Sequence, residues 1–384
     1  MISWMAGPSP AMNVLGEEAK DIMPETDILF GREGGVATVT LNRPQALNAF
    51  TLDMYRRFDP KLHGWADDPA VHAVLIRGAG GRAFCAGGDI RAIYDAGRGI
   101  SGDRALTAVF FREEYELLRY IHRFPKPYLA IIDGITMGGG AGVSVNGAYR
   151  VATEKTMLAM PETGIGLFPD VGATRFLNLC PGQIGHYLGL TGARLGAADA
   201  LYCGFATHFA AQQRIADFVA ALARIAWRPG DEHRQLEQLL ADFAGDPGPA
   251  PLAARQAAID RCFAGDSVEA ILDSLAREAA ANGPDAEWAK KTQETLLTKS
   301  PTSLKITLRQ LLVGRGLALE EALALEYRLT QHVMAGHDFY EGVRAVVIDK
   351  DQRPRWQPAT LAEIDEATVD AYFAPLGERE LRFF

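Results

Sequence analysis

Three loops in this chain carry groups suited to chemistry on a carbonyl. The first is Arg82-Ala-Phe-Cys-Ala-Gly87-Gly88-Asp89-Ile-Arg91 and the second is Gly134-Ile-Thr-Met-Gly138-Gly139-Gly140-Ala-Gly142. Glycine has no Cβ, so each loop can turn backbone N–H groups outward. Two N–H groups aimed at one point make an oxyanion hole, a fixed pair of donors for charge developing on a carbonyl oxygen. The third loop is Pro161-Glu162-Thr-Gly-Ile-Gly166-Leu-Phe-Pro169-Asp170-Val-Gly172. Its carboxyl groups, Glu162 and Asp170, lie eight residues apart in a turn punctuated by Pro and Gly, so they are free to converge on one cavity. Together the loops point to oxyanion stabilisation combined with carboxylate chemistry.

Other motifs carry less. Gly78-Ala-Gly80-Gly-Arg-Ala83 has the loose spacing of a dinucleotide-binding turn. That turn must open directly into a helix, whereas here another glycine turn follows. Gly142-Val-Ser144-Val-Asn146 has Asn where a nucleophile elbow needs its last glycine, so Ser144 reads as a buried structural serine. Cys85 has no evident histidine partner and reads as a small buried hydrophobe. The eight histidines show no metal-ligand spacing, so no metal site is expected from them.

The elements that must position these loops are short apolar runs separated by helices. Val36–Leu41, Val71–Arg77 and Tyr128–Asp133 read as strands, with Arg150–Thr153 and Thr156–Met160 as shorter ones. Leu52–Trp65 and Ala105–Phe124 read as helices between them. Strands covered on both faces and alternating with helices predict an α/β fold. From Ala211 to Phe243 the pattern is helical, and a loop follows from Gly245 to Pro251. Ser300 is placed to N-cap a helix with Pro301 at its first position, Gly314 ends it, and another helix runs from Leu319 to Ala335.

Composition excludes several classes. The 384 residues are 48% hydrophobic and 23% charged, the balance of a globular chain. The net charge of −9, from 39 basic and 48 acidic side chains, argues against a nucleic-acid partner. The four cysteines lie far apart with no C-x-x-C pair, which predicts free thiols in a reducing compartment. With no basic-then-apolar leader at the start, the expected location is cytoplasmic. The segment 128–149 is apolar but too glycine-rich for a membrane span. The 39 glycines, about one residue in ten against a usual ~7%, belong in turns and ligand loops.

Phe84-Cys-Ala-Gly-Gly-Asp-Ile90 and Met137-Gly-Gly-Gly140 resemble the two oxyanion-hole segments of the crotonase (enoyl-CoA hydratase/isomerase) superfamily. By that resemblance the N–H groups of Gly88 and Gly139 would hold a thioester oxygen, and coenzyme A would be part of the substrate rather than a cofactor. The fold it implies is α/β, a spiral of ββα units with an enlarged helical C-terminal region. The implied division is a flexible tail over 1–27, a catalytic core over 28–245 and a helical region over 246–384 packing on that core. Met160–Gly172, Ser300–Gln310 and His337–Ala345, running on to Asp349-Lys-Asp351, resemble the thioester-hydrolase branch.

Departures from the hydratase pattern sharpen the expectation. Hydratases of this superfamily carry a second catalytic glutamate where this chain has Gly142, and glycine where it has Asp170. Losing the acid at 142 and gaining Asp170 favours hydrolysis of a thioester over hydration of a C=C bond. The implied substrate is 3-hydroxyisobutyryl-CoA, from valine catabolism, with 3-hydroxypropionyl-CoA hydrolysis or enoyl-CoA hydration as alternatives. Glu162 would serve as nucleophile or general base, Asp170 would orient the reacting groups, and Glu114 matches a substrate-pocket position, with a solvated helix acid as the equal alternative. Arg43, Arg82 and Arg91 flank the loops that would meet the CoA phosphates. A homo-oligomer is the other implied partner, since members of the superfamily assemble through their C-terminal helices.

Overall fold

The computed structural model describes residues 26–383. Most of the expected N-terminal tail, residues 1–25, lies outside the described residues. The described part has nine strands: β1 (Ile28–Glu33), β2 (Val36–Leu41), β3 (Ala73–Gly78), β4 (Ala83–Cys85), β5 (Tyr128–Ile132), β6 (Ile135–Met137), β7 (Tyr149–Ala152), β8 (Met157–Ala159) and β9 (His208–Phe209). Six form one sheet in the order β1-β2-β3-β5-β7-β9, and three form a second in the order β4-β6-β8. Only the β1–β2 pair is antiparallel.

The two orders run in step. Each of β3, β5 and β7 hands the chain directly to β4, β6 and β8, so the backbone climbs one level per ββα unit. This is the α/β spiral, and its side-chain pattern explains why it closes. In β3, Val74 and Ile76 join the main core, while Ala73 and Leu75 pack with Leu129, Ile131 and Val151 beneath the helices Ile215–Ala223 and Glu232–Phe243. Both faces of the sheet are covered, which is why β2 is buried at every position but Thr40 instead of alternating.

The glycine-rich turn after β3 does not open a helix. It leads into β4, which removes the dinucleotide reading. β4 and β6 are three-residue strands hidden inside the two glycine loops, and no periodicity can announce elements so short. The expected helical stretch 211–243 is broken into two helices at Pro229 and Gly230, where Gly230 has φ +83°. The Ser300 cap forms as the sequence predicts, its Oγ accepting the Ser303 N–H at 3.0 Å. Helices beyond residue 246 reach back to the third loop. Gln310 Nε2, on the helix Pro301–Val313, donates to Pro169 O at 2.7 Å. Among the described residues no helix is long and apolar enough to cross a membrane.

Candidate active site

The three loops meet at a cavity of about 450 Å³. Gly87, Gly88, Gly138 and Gly139 line it together with Glu114, Glu162 and Asp170. The Gly88 loop is pinned to Phe50 by two backbone bonds, Phe50 N–H to Gly87 O at 2.9 Å and Asp89 N–H to Phe50 O at 2.7 Å. Gly139 is the first residue of the helix Gly139–Val145, where an N–H has no intrahelical acceptor. A Cβ on Gly139 would lie 3.4 Å from Gly88 N, 2.7 Å from Glu114 Oε1 and 3.0 Å from Tyr55 Oη. That crowding admits no side chain and brings the two N–H groups to the same wall.

The acids reach the cavity from different elements. Glu162 opens one turn of 3-10 helix, Glu162–Ile165, which Gly166 ends in the left-handed conformation. Its Oε2 is buried with no hydrogen-bond partner among the described residues. Asp170 is 4% exposed, and its Oδ2 accepts the Tyr115 O–H at 2.6 Å. Glu114, on the helix Leu106–His122, is 2% exposed and accepts the Tyr55 O–H at 2.5 Å. It is therefore a cavity residue and not a solvated helix acid.

Burial dominates the electrostatics. It pushes the Asp170 carboxyl up to about 6, against the lowering effect of the Tyr115 hydroxyl. Burial and then the neighbouring Asp170 raise Glu162 and Glu114 well above the usual carboxylate range. Such an enclosure holds protons at a pH where ordinary carboxyls have released them. A carboxylate that does ionise here is poorly solvated and correspondingly basic.

The basic residues differ from expectation. Arg43 is bound to Asp27 and Asp89, and neither Arg82 nor Arg91 lines the cavity. Its two cationic lining residues are Arg194 and Lys299, neither with a carboxylate partner among the described residues. Sequence reasoning missed both, and missed Tyr55 and Tyr115, because a partner distant in the chain leaves no local pattern. The remaining motifs resolve as structure. Ser144 Oγ donates to Gly140 O at 2.7 Å, and burial pushes the Cys85 thiol up to about 12. Among the described residues no group of three acids, histidines or cysteines is placed to hold a metal.

The sequence pattern described as enoyl-CoA hydratase/isomerase matches residues 36–373. A curated relative from Xenopus laevis, named 3-hydroxyisobutyryl-CoA hydrolase, mitochondrial, is 48% identical over 92% of this chain and 90% of its own length. One of the same name from Homo sapiens is 44% identical over 93% and 91%. Two solved structures overlay closely. The carnitinyl-CoA dehydratase from Mycobacterium thermoresistibile gives a TM-score of 0.84 at 41% identity, covering 93% of this chain and 98% of its own. The enoyl-CoA hydratase from Rhodobacter sphaeroides gives 0.81 at 39%, covering 93% and 100%. The mitochondrial names of the curated relatives overturn the cytoplasmic expectation. Free cysteines separate reducing from oxidising compartments and cannot distinguish one reducing compartment from another.

Proposed function

The chain belongs to the enoyl-CoA hydratase/isomerase family, and from that premise we propose that it hydrolyses the thioester of 3-hydroxyisobutyryl-CoA to 3-hydroxyisobutyrate and free CoA. The observation that carries this reading is the closure of position 142 beside the Glu162–Asp170 pair. A Cβ on Gly142 would lie 2.8 Å from Val171 Cβ and 3.0 Å from Leu118 Cδ1, so a second glutamate has no room there. Hydration of a C=C bond by paired glutamates is thereby disfavoured, while both remaining acids face the side where a thioester carbonyl would lie.

In the proposed reaction the Gly88 and Gly139 N–H groups receive the thioester oxygen as it becomes an oxyanion. One such donor is worth about 2.7–4 kcal/mol in comparable sites. The acyl carbon gains an oxygen as the C–S bond breaks, the CoA sulfur leaves with a proton, and water replaces what is consumed. Glu162 serves by one of two routes. It attacks the carbonyl to form an anhydride that water then opens, or it takes the proton from the attacking water. Asp170, fixed by Tyr115, orients the water or the substrate hydroxyl. Glu114 is the proposed contact for the hydroxyl on the acyl chain. Arg194 and Lys299 are the proposed contacts for the anionic part of CoA, and no further cofactor enters.

Thiol release from a panel of acyl-CoAs, with crotonyl-CoA hydration measured alongside, tests the reading. Release is expected from 3-hydroxyisobutyryl-CoA, and Glu162→Gln or Asp170→Asn is expected to remove at least ~99% of it. Full activity in either variant, or hydration exceeding thiol release, rejects the proposal. The dehydratase and hydratase names of the two structural neighbours make that second arm necessary. A single turnover in labelled water separates the routes, because label entering the Glu162 carboxyl requires the anhydride.

A further inference from the structure

Val171 is the one β-branched residue with a left-handed backbone among the described residues, at φ +58°. Side chains of this kind avoid that conformation, and it persists only where the surroundings impose it. The residue follows Asp170 directly, and its side chain lines the cavity.

The holding groups come from three separate parts of the chain. Glu326, on the helix Leu319–Met334, accepts the Gly172 N–H on Oε2 at 2.7 Å and the Thr174 N–H on Oε1 at 2.8 Å. Asn146 Nδ2 donates to Val171 O at 2.9 Å, and Gln310 Nε2 holds Pro169 O. Glu326 is 0% exposed, and no cation pairs with it among the described residues. Its carboxyl is compensated by these backbone donors and the Thr174 hydroxyl, and burial still pushes it up to about 8. A right-handed Val171 would swing the Gly172 N–H away and cost the buried Glu326 carboxyl one of its partners. The turn and the acid stabilise each other, and what they deliver into the cavity is Asp170.

We propose that Glu326 is a positioning residue for the reaction. By gripping the N–H groups of Gly172 and Thr174 it keeps Val171 left-handed and so fixes where the Asp170 carboxyl stands. The proposal rests on the hydrolase reading for the part Asp170 plays.

The test is a double-mutant cycle over wild type, Glu326→Gln, Val171→Gly and the pair, because glycine adopts the left-handed conformation without strain. In the valine background Glu326→Gln is expected to lower kcat at least ~10-fold with KM within about two-fold, since it moves an acid rather than a binding contact. In the glycine background the same change is expected to cost under ~3-fold. Hydrogen exchange over residues 169–175 should quicken in Glu326→Gln and return toward wild type in the pair. Equal losses in both backgrounds, or a Glu326→Gln enzyme with wild-type kcat and exchange, overturn the proposal. If Glu326→Gln does not fold alone, a folded pair supports the proposal and an unfolded pair overturns it. Wild-type protein that releases no thiol overturns the hydrolase reading instead, and the exchange arm then decides the grip on its own.

Discussion

At the scale of single residues, Asp170 sits between opposing influences. Burial raises its pKa to about 6 and the Tyr115 hydroxyl lowers it. Removing that hydroxyl takes away the larger of the two influences that oppose burial, the other being a backbone hydrogen bond. Tyr115→Phe is therefore expected to move the acid limb of the kcat/KM profile to higher pH, and a limb that stays put or falls contradicts the assignment. Linkage also fixes a stability effect. A carboxyl whose pKa is raised on folding adds most stability below its unfolded value, near 4. That contribution is lost as pH climbs through about 6, because the ionised form is the one burial penalises. Asp170→Asn should thus be more stable than wild type at pH 8, by a Tm gain of at least ~2 °C, with the gain gone at pH 4. Calorimetry at the two pH values checks it. The residue proposed to serve the reaction is thus expected to weaken the fold above pH 6.

At the scale of elements, the helix Gly139–Val145 approaches its neighbours too closely for a side chain at Gly139, Gly140 or Gly142. Gly142→Ala forces a methyl to within 2.8 Å of Val171 and 3.0 Å of Leu118, an overpacking worth about 1–3 kcal/mol. A lower urea midpoint at unchanged slope is the expected result. Legibility divides along the same line. Glu162, Asp170 and the glycines of the two glycine loops, which the structure brings to one cavity, are visible in the sequence because each loop announces itself by residue type within about ten positions. The strands β3 and β5 are visible as apolar runs. What stayed hidden is what pairs across the fold: Tyr55 with Glu114, 59 residues apart, and Glu326 with Gly172, 154 apart. An acid inside a helix looks the same in sequence whether it meets water or a backbone N–H.

At the scale of the whole molecule, an acidic chain with three acids in its cavity must still admit an anionic substrate. Arg194 and Lys299 are the lining cations, and burial lowers the Lys299 pKa, so its ammonium gains from a phosphate partner. Lys299→Ala is expected to raise KM for the CoA thioester by about 10-fold, one well-placed charge contact. KM for the matching N-acetylcysteamine thioester, which has no phosphates, should be unchanged. Equal effects on both thioesters would remove Lys299 from that role. We also propose that residues 246–384 act with 28–245 as one unit, since Lys299, Val346 and Gln352 complete the cavity wall. That wall runs from Ala86 to Gln352, and this has a consequence for timing. On the ribosome the glycine loops and both acids emerge long before the residues that enclose them. The growing chain has its vessel still open, and CoA release should begin only once Gln352 has been made and folded into place. Fragments left by interrupted translation are then inert toward the cell's acyl-CoA pool.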